Sequence, residues 1–216
     1  MIRRPALFLL LSLPLSLLVA QNPWDQWEAQ VVRELNTADE ADYLNEEEKK
    51  VILFMNMARH DGPLFSRTFL DAYVKENQVE NNSYLKSLRK DLNKALGLLP
   101  MHLEKDLTAV AQGHALQSGK KGKVGHQDFD KRFKPLLGNP YNHVGENCSY
   151  GYESAMDIVI SLMIDEGVKD HGHRHNMLSP DFNSIGVAIR PHRSYRTNCV
   201  MDFGRRDRNR INQVPY

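Results

Sequence analysis

The stretch Gly145-Glu146-Asn147, followed after an apolar interval by Gly172-His173-Arg174-His175-Asn176-Met177-Leu178, is where this chain becomes legible. The interval, residues 153–167, is apolar at Ala155, Val159, Leu162 and Met163, the spacing of a helix with one buried face. That stripe also takes in Glu166, four residues past Leu162 and three past Met163, so an acid is aimed inward. Glu146 before the helix, Glu166 at its inner end and His173 just beyond it place two carboxylates and an imidazole near one point.

Working outward, Ile185, Val187 and Ile189 alternate with Gly186, Ala188 and Arg190, and Cys199, Met201 and Phe203 alternate with Val200, Asp202 and Gly204. Two such runs predict an antiparallel hairpin. Upstream, Asn45 with Glu48 three residues on is a capping signal, and Val51, Phe54, Met55 and Ala58 continue at helical spacing towards Asp61-Gly62-Pro63. A second helix carries Leu103, Leu107, Val110, Ala111, His114 and Ala115 on one face, which makes His114 a hydrogen-bonded core residue rather than a ligand. The Lys/Gly-rich segment 119–125 then delivers His126. Residues 65–99 are polar and weakly periodic, which suggests one or two short surface helices and a long connection. Helices first and a terminal hairpin give an α+β fold with helices packed on a small antiparallel sheet.

At the N-terminus, Arg3 and Arg4 precede an apolar run from Ala6 to Val19 interrupted by Ser12, Pro14 and Ser16, the pattern of a secretory signal cleaved near Ala20. The run is too short and too broken for a good membrane span, and nothing later is long and apolar enough to be one. Without Arg3 and Arg4 there are 26 basic residues against 27 acidic, a balance that argues against nucleic acid or an anionic membrane as partner. The organisation expected is a signal at 1–20, an extension at 21–42 that docks Trp24 and Trp27, a single domain at 43–206 and a basic tail at 207–216. Export to the periplasm or the extracellular space would oxidise thiols, so Cys148 and Cys199 are expected to form one disulfide worth about 3–4 kcal/mol; two buried thiols are the alternative.

The order of parts resembles the CAP superfamily, the cysteine-rich secretory, antigen 5 and pathogenesis-related 1 domain, also called SCP. The residues that carry the resemblance are Asn56-Met57-Ala58-Arg59, Ala111-Gln112-Gly113-His114-Ala115, His126, Gly145-Glu146-Asn147, Gly172-His173-Arg174 with Asn176, and the two terminal strands. It implies an α-β-α sandwich with a cleft lined by two His and two acids, which fall on His126, Glu146, Glu166 and His173. Asp165 competes with Glu166 if the helix is shifted by one residue, and Met163 stands where many relatives have Trp. The Gly-His-Arg-x-Asn form is that of bacterial members.

Two imidazoles beside carboxylates suit a divalent metal, zinc above all, held by His126 and His173 with Glu146 and Glu166 orienting rings or waters. Hydrolytic zinc usually has three protein ligands, and His-carboxylate pairs equally form structural networks, so an exported, monomeric binding module is the preferred function. Its partner would be a lipid, a cell-wall glycan or an extracellular protein. The rival is a metal-dependent hydrolase with Glu146 or Glu166 as catalytic base. The triplet His171, His173 and His175 would share one side only in an extended strand, and Ser149 is a weak nucleophile candidate beside its own loop.

Overall fold

The computed structural model describes residues 22–206, so the expected signal segment and the basic tail lie outside the described residues. A 3₁₀ turn (Pro23–Gln26) leads into α1 (Ala29–Leu35). Trp27 is buried and donates its indole N–H to the Thr68 hydroxyl at 3.2 Å, while Trp24 sets its edge on Phe69 with ring centroids 4.8 Å apart. The extension is therefore continuous with the main core.

Asn45 opens α2 (Glu46–His60) by accepting from the Glu48 N–H, and the Glu48 carboxylate accepts from the Asn45 N–H in return. Two donors that the first turn would leave unpaired are thus satisfied. The other Glu48 oxygen accepts the Ile189 N–H at 2.8 Å, tying the start of the helix to the terminal hairpin.

Then come α3 (Gly62–Phe65), a π-helical turn (Ser66–Leu70), α4 (Asp71–Glu76) and α5 (Ser83–Leu92). The expectation of one or two short surface helices and a long connection is corrected, because these elements carry part of the core. Phe65, Phe69, Leu70, Leu85, Leu88 and Leu92 are all buried, and burying each such side chain contributes about 1.5–3 kcal/mol. The stripe Leu85, Leu88, Leu92 has helical spacing, but Lys and Arg on the other faces dilute it in the sequence.

The remainder runs β1 (His102–Leu103), α6 (Lys105–Lys121), α7 (Phe129–Phe133), β2 (Tyr141–Tyr150), α8 (Ala155–Ile164), α9 (Gly172–Leu178), β3 (Ser184–His192) and β4 (Arg196–Arg206). Sheet order is β1-β3-β4-β2. β3 and β4 form the expected hairpin, β1 lies parallel to β3, and β2 is an antiparallel edge strand against β4. On one face of the sheet Ala111 and Ala115 of α6 meet Cys148, Ala188 and Val200. On the other face, α2 and α8 cover Val187, Cys199, Met201 and Phe203. The result is a sheet between two helical layers. α6 lies unusually close to it: a Cβ on Gly186 would sit 2.1 Å from the Thr108 nitrogen, and one on Gly119 would sit 2.2 Å from the Pro191 carbonyl oxygen.

The same register corrects the disulfide. Cys148 pairs with Val200, and Cys199 pairs with Ser149. Paired residues share a face and successive residues alternate, so the thiols point to opposite sides of the sheet, one to α6 and one to the α2/α8 core. No side-chain rotation brings them to bonding geometry, and both are free and buried. Sequence separation carries no information about face.

Candidate functional site

α6 is followed by Gly122, whose φ of 67° turns the chain into the loop that carries His126. Two contacts pin that loop: the Gly125 N–H donates to the Tyr150 hydroxyl at 2.7 Å, and the buried His114 ring meets the Gly125 carbonyl at 3.0 Å. His114 is thus the hydrogen-bonded core residue expected; burial pushes its pKa down and keeps it neutral.

With the loop fixed, His126 Nδ1 lies 2.8 Å from Glu146 Oε1. Glu146 lies in the middle of β2, with its side chain wholly buried. Arg132 of α7 closes on it bidentately, Nη1 to Oε2 at 2.6 Å and Nη2 to Oε1 at 2.9 Å. Burial alone would raise the pKa of this carboxyl. Hydrogen bonds from His126 and Arg132 outweigh it and pull the group down to about 2. A carboxylate there requires His126 to present Nδ1–H, so the neutral ring keeps its lone pair on Nε2. Directly across the strand pair lies Asp202, fully buried; burial first and then the Glu146 charge push its carboxyl well above the usual range.

The second imidazole is held in the same way by another element. α8 stops at Ile164, and Asp165 takes a left-handed conformation, φ 58° and ψ 41°. Its Oδ1 lies 2.6 Å from His173 Nδ1, and its Oδ2 accepts the backbone N–H of His173 at 3.0 Å in the first turn of α9. Those hydrogen bonds outweigh burial and lower the Asp165 pKa. Arg174, fully buried, donates to the carbonyls of Met163 and Ile164 and so satisfies the end of α8.

Glu166 is therefore corrected as a cleft residue. It lies on the surface and accepts from Asn82 Nδ2 at 2.9 Å. The helical phase that aimed it inward holds only while the helix continues, and the helix ends two residues earlier. Asp165 stands in its place.

Motif asparagines join the two halves. Asn147 Nδ2 donates to the His173 carbonyl at 2.9 Å, and Asn176 Nδ2 donates to Asn147 Oδ1 at 2.8 Å. Because α9 is helical, the triplet of alternate histidines splays: His171 lies against Tyr84, and only His173 reaches the site. Ser149 shares the Cys199 face, away from Glu146 and Cys148.

His126 and His173 both line a groove of about 390 Å³ at the edge of β2, together with Val124, Gly125, Cys148, Tyr150 and Tyr195. Each ring is oriented through Nδ1 and leaves Nε2 uncommitted to its carboxylate, the donor chemistry that a divalent cation would use. An interior trio, His114, Glu146 and Cys148, also has its donor atoms within 4.8 Å of one another. It fits a metal poorly: the Arg132 cation engages both Glu146 oxygens, and burial raises the Cys148 pKa, so the thiol stays protonated. A separate groove of about 470 Å³, lined by His143, His175, Leu178 and Phe182 among others, shares none of these residues. Arg132 and Asp202 gave no motif signal; one is a basic residue between two Phe, the other an acid inside an alternating strand.

Residues 55–203 match the family described as the cysteine-rich secretory protein family, CAP. Among curated proteins, the uncharacterized protein YkwD of Bacillus subtilis (strain 168) is 30% identical over 95 residues, covering 42% of this chain and 35% of that protein, so the match spans about a third of the relative's length. Among solved structures, an outer surface protein from Borrelia burgdorferi is 19% identical with a TM-score of 0.45, covering 60% of this chain and 97% of that one. An extracellular SCP-domain protein from Bacillus anthracis str. Ames is 18% identical with a TM-score of 0.42, covering 60% and 42%.

Proposed function

The chain belongs to the cysteine-rich secretory protein family, and from that membership and the edge groove we propose that it is an exported, monomeric interaction module whose groove binds a divalent cation, zinc best, through His126 and His173. One observation supports this: each imidazole is held by a carboxylate on Nδ1, Glu146 for His126 and Asp165 for His173, and both residues line one groove. Two nitrogen ligands make an open and modest site. The signal segment ending near Ala20 delivers the protein to the periplasm or the extracellular space, where its partner is an extracellular protein in preference to a lipid or a cell-wall glycan.

The hydrolytic alternative asks for a carboxylate free to take a proton from bound water. Glu146 has both oxygens engaged by Arg132, and Asp165 has both engaged by His173, which supports binding over turnover. Calorimetric zinc titration of the mature protein beside a His126→Ala/His173→Ala variant tests the metal reading. Saturable binding lost in the variant is expected. Absence of binding by the unmodified protein overturns it, and chelator-sensitive turnover of a peptide or ester substrate would favour the hydrolase.

A further inference from the structure

β2 is an edge strand, and the hydrogen-bond parity of the sheet says which of its backbone groups face outward. Gly151, directly past the strand, donates its N–H to the Thr197 carbonyl at 2.9 Å. In an antiparallel pair residues alternate between exchanging both backbone bonds with the neighbour and pointing both away. Counting back from Gly151, Ser149 and Asn147 bond to β4, while Tyr150, Cys148 and Glu146 turn their N–H and C=O groups to the open side. An independent check comes from β3. If β4 bonds to β2 through Cys199 and Met201, it bonds to β3 through Val200 and Asp202, so Ile189, opposite Cys199, must have an N–H free of β4. That N–H does donate elsewhere, to Glu48.

Along the outward edge, Asn176 Nδ2 reaches the Glu146 carbonyl at 3.5 Å. Beyond it, among the described residues, no backbone hydrogen bond from another segment reaches Cys148 or Tyr150. Both residues line the groove that His126 and His173 also line. The edge left without a neighbouring strand therefore offers donors and acceptors at two-residue spacing, about 6.8 Å apart, in a groove that also holds two carboxylate-fixed imidazoles. A sugar or acyl chain has no matching repeat of alternating donor and acceptor. Another extended polypeptide backbone has it.

We propose that the Cys148–Tyr150 edge of β2 captures an extended polypeptide segment as an added antiparallel or parallel strand, with His126 and His173 flanking it. The proposal rests on the groove being the interaction site; it does not require metal. Side chains of the captured segment would alternate towards the two imidazole walls, so the backbone supplies affinity and the walls supply selectivity.

The test uses the mature protein in EDTA, with the blocked hexapeptide acetyl-Thr-Val-Thr-Val-Thr-Val-amide, an isomer N-methylated at alternate residues and one N-methylated throughout. The readout is the amide shifts and hydrogen exchange of Cys148 and Tyr150 by NMR. The plain and alternately methylated peptides should shift and protect those two amides saturably, because an added strand uses only one of its edges. Full methylation should weaken binding by about a hundredfold or more, since it removes every backbone donor. Unchanged Cys148 and Tyr150 amides at millimolar peptide, binding indifferent to full methylation, or the same shifts appearing on concentrating the protein alone would each overturn the proposal. Running without metal separates it from the zinc reading: a protein that binds zinc but no peptide keeps the metal site and loses the strand-capture site.

Discussion

Replacing Arg132 with methionine keeps most of its aliphatic volume and removes the cation from a carboxylate that has no exposure of its own. The Arg132 side chain is 13% exposed and the Glu146 side chain 0%, so solvent screening offers little relief. Two charge-assisted hydrogen bonds, at 2.6 and 2.9 Å, would be lost, and a third from Arg132 Nε to the Gln127 carbonyl with them. Removing one partner of a buried ion pair costs about 3–5 kcal/mol. His126 still donates to Glu146, which places the expectation at the lower end, about 3 kcal/mol, or a fall of about 6–12 °C in Tm for a domain of this size. Urea denaturation followed by circular dichroism measures it, and Glu146→Gln in the Arg132→Met background supplies the control. That second change removes the stranded charge and should restore part of the loss, a coupling that a packing defect would not produce. The linkage has a definite sign. Glu146 is depressed in the folded protein, so its contribution is present above its ordinary value near 4.5 and is lost as pH falls towards about 2. A loss below about 1 kcal/mol for Arg132→Met, or additivity with Glu146→Gln, refutes the reasoning.

Three further outcomes are expected. Asp165→Asn should weaken zinc binding by about 10–100-fold, because it loosens the ring of His173, whereas Glu166→Gln should leave the titration unchanged; equal effects would return Glu166 to the site. Thiol titration in denaturant without reductant should find both Cys148 and Cys199 reactive, and non-reducing peptide mapping that recovers them linked would contradict the sheet register. Asp202 has a raised folded pKa, so above its ordinary value near 3.8 the unfolded chain releases a proton that the folded one keeps, and stability declines as pH rises. Asp202→Asn should flatten that decline, gaining stability over the parent at pH 7 more than at pH 4 in urea titrations; parallel pH profiles would rule out a protonated Asp202.

How much of this is legible in the sequence depends on whether the deciding interaction is local. The Asn45/Glu48 cap and the β3–β4 hairpin are readable because their signals lie within a few residues of one another. Resemblance in motif order places His126, Glu146 and His173, and the structure brings His126 onto Glu146 and His173 into the same groove. β2 gives no strand signal because neither of its faces is apolar: Glu146 and Cys148 go one way and Asn147 and Ser149 the other, all four buried, so no alternation survives. Periodicity selects Glu166 over Asp165 because the stripe continues on paper past the point where the helix stops, and a single left-handed residue shifts the phase. The Cys148–Cys199 pairing fails on face, and Arg132 escapes notice because its meaning lies in a partner 14 residues away on another element.

The two glycines at which α6 touches the rest of the fold bear on the groove as well as on packing. Gly186 sits under the start of the helix and Gly119 near its end, about 16 Å apart along the axis, and each is pressed against backbone that cannot rotate aside. They act as the two bearings of a beam whose far end leads into the His126 loop. An alanine at Gly186 adds one methyl group at a site with no chemistry of its own. Yet it would tilt the beam and swing His126 off Glu146. The groove is therefore sensitive to an unremarkable small-residue change in β3 as well as to changes in the histidines themselves.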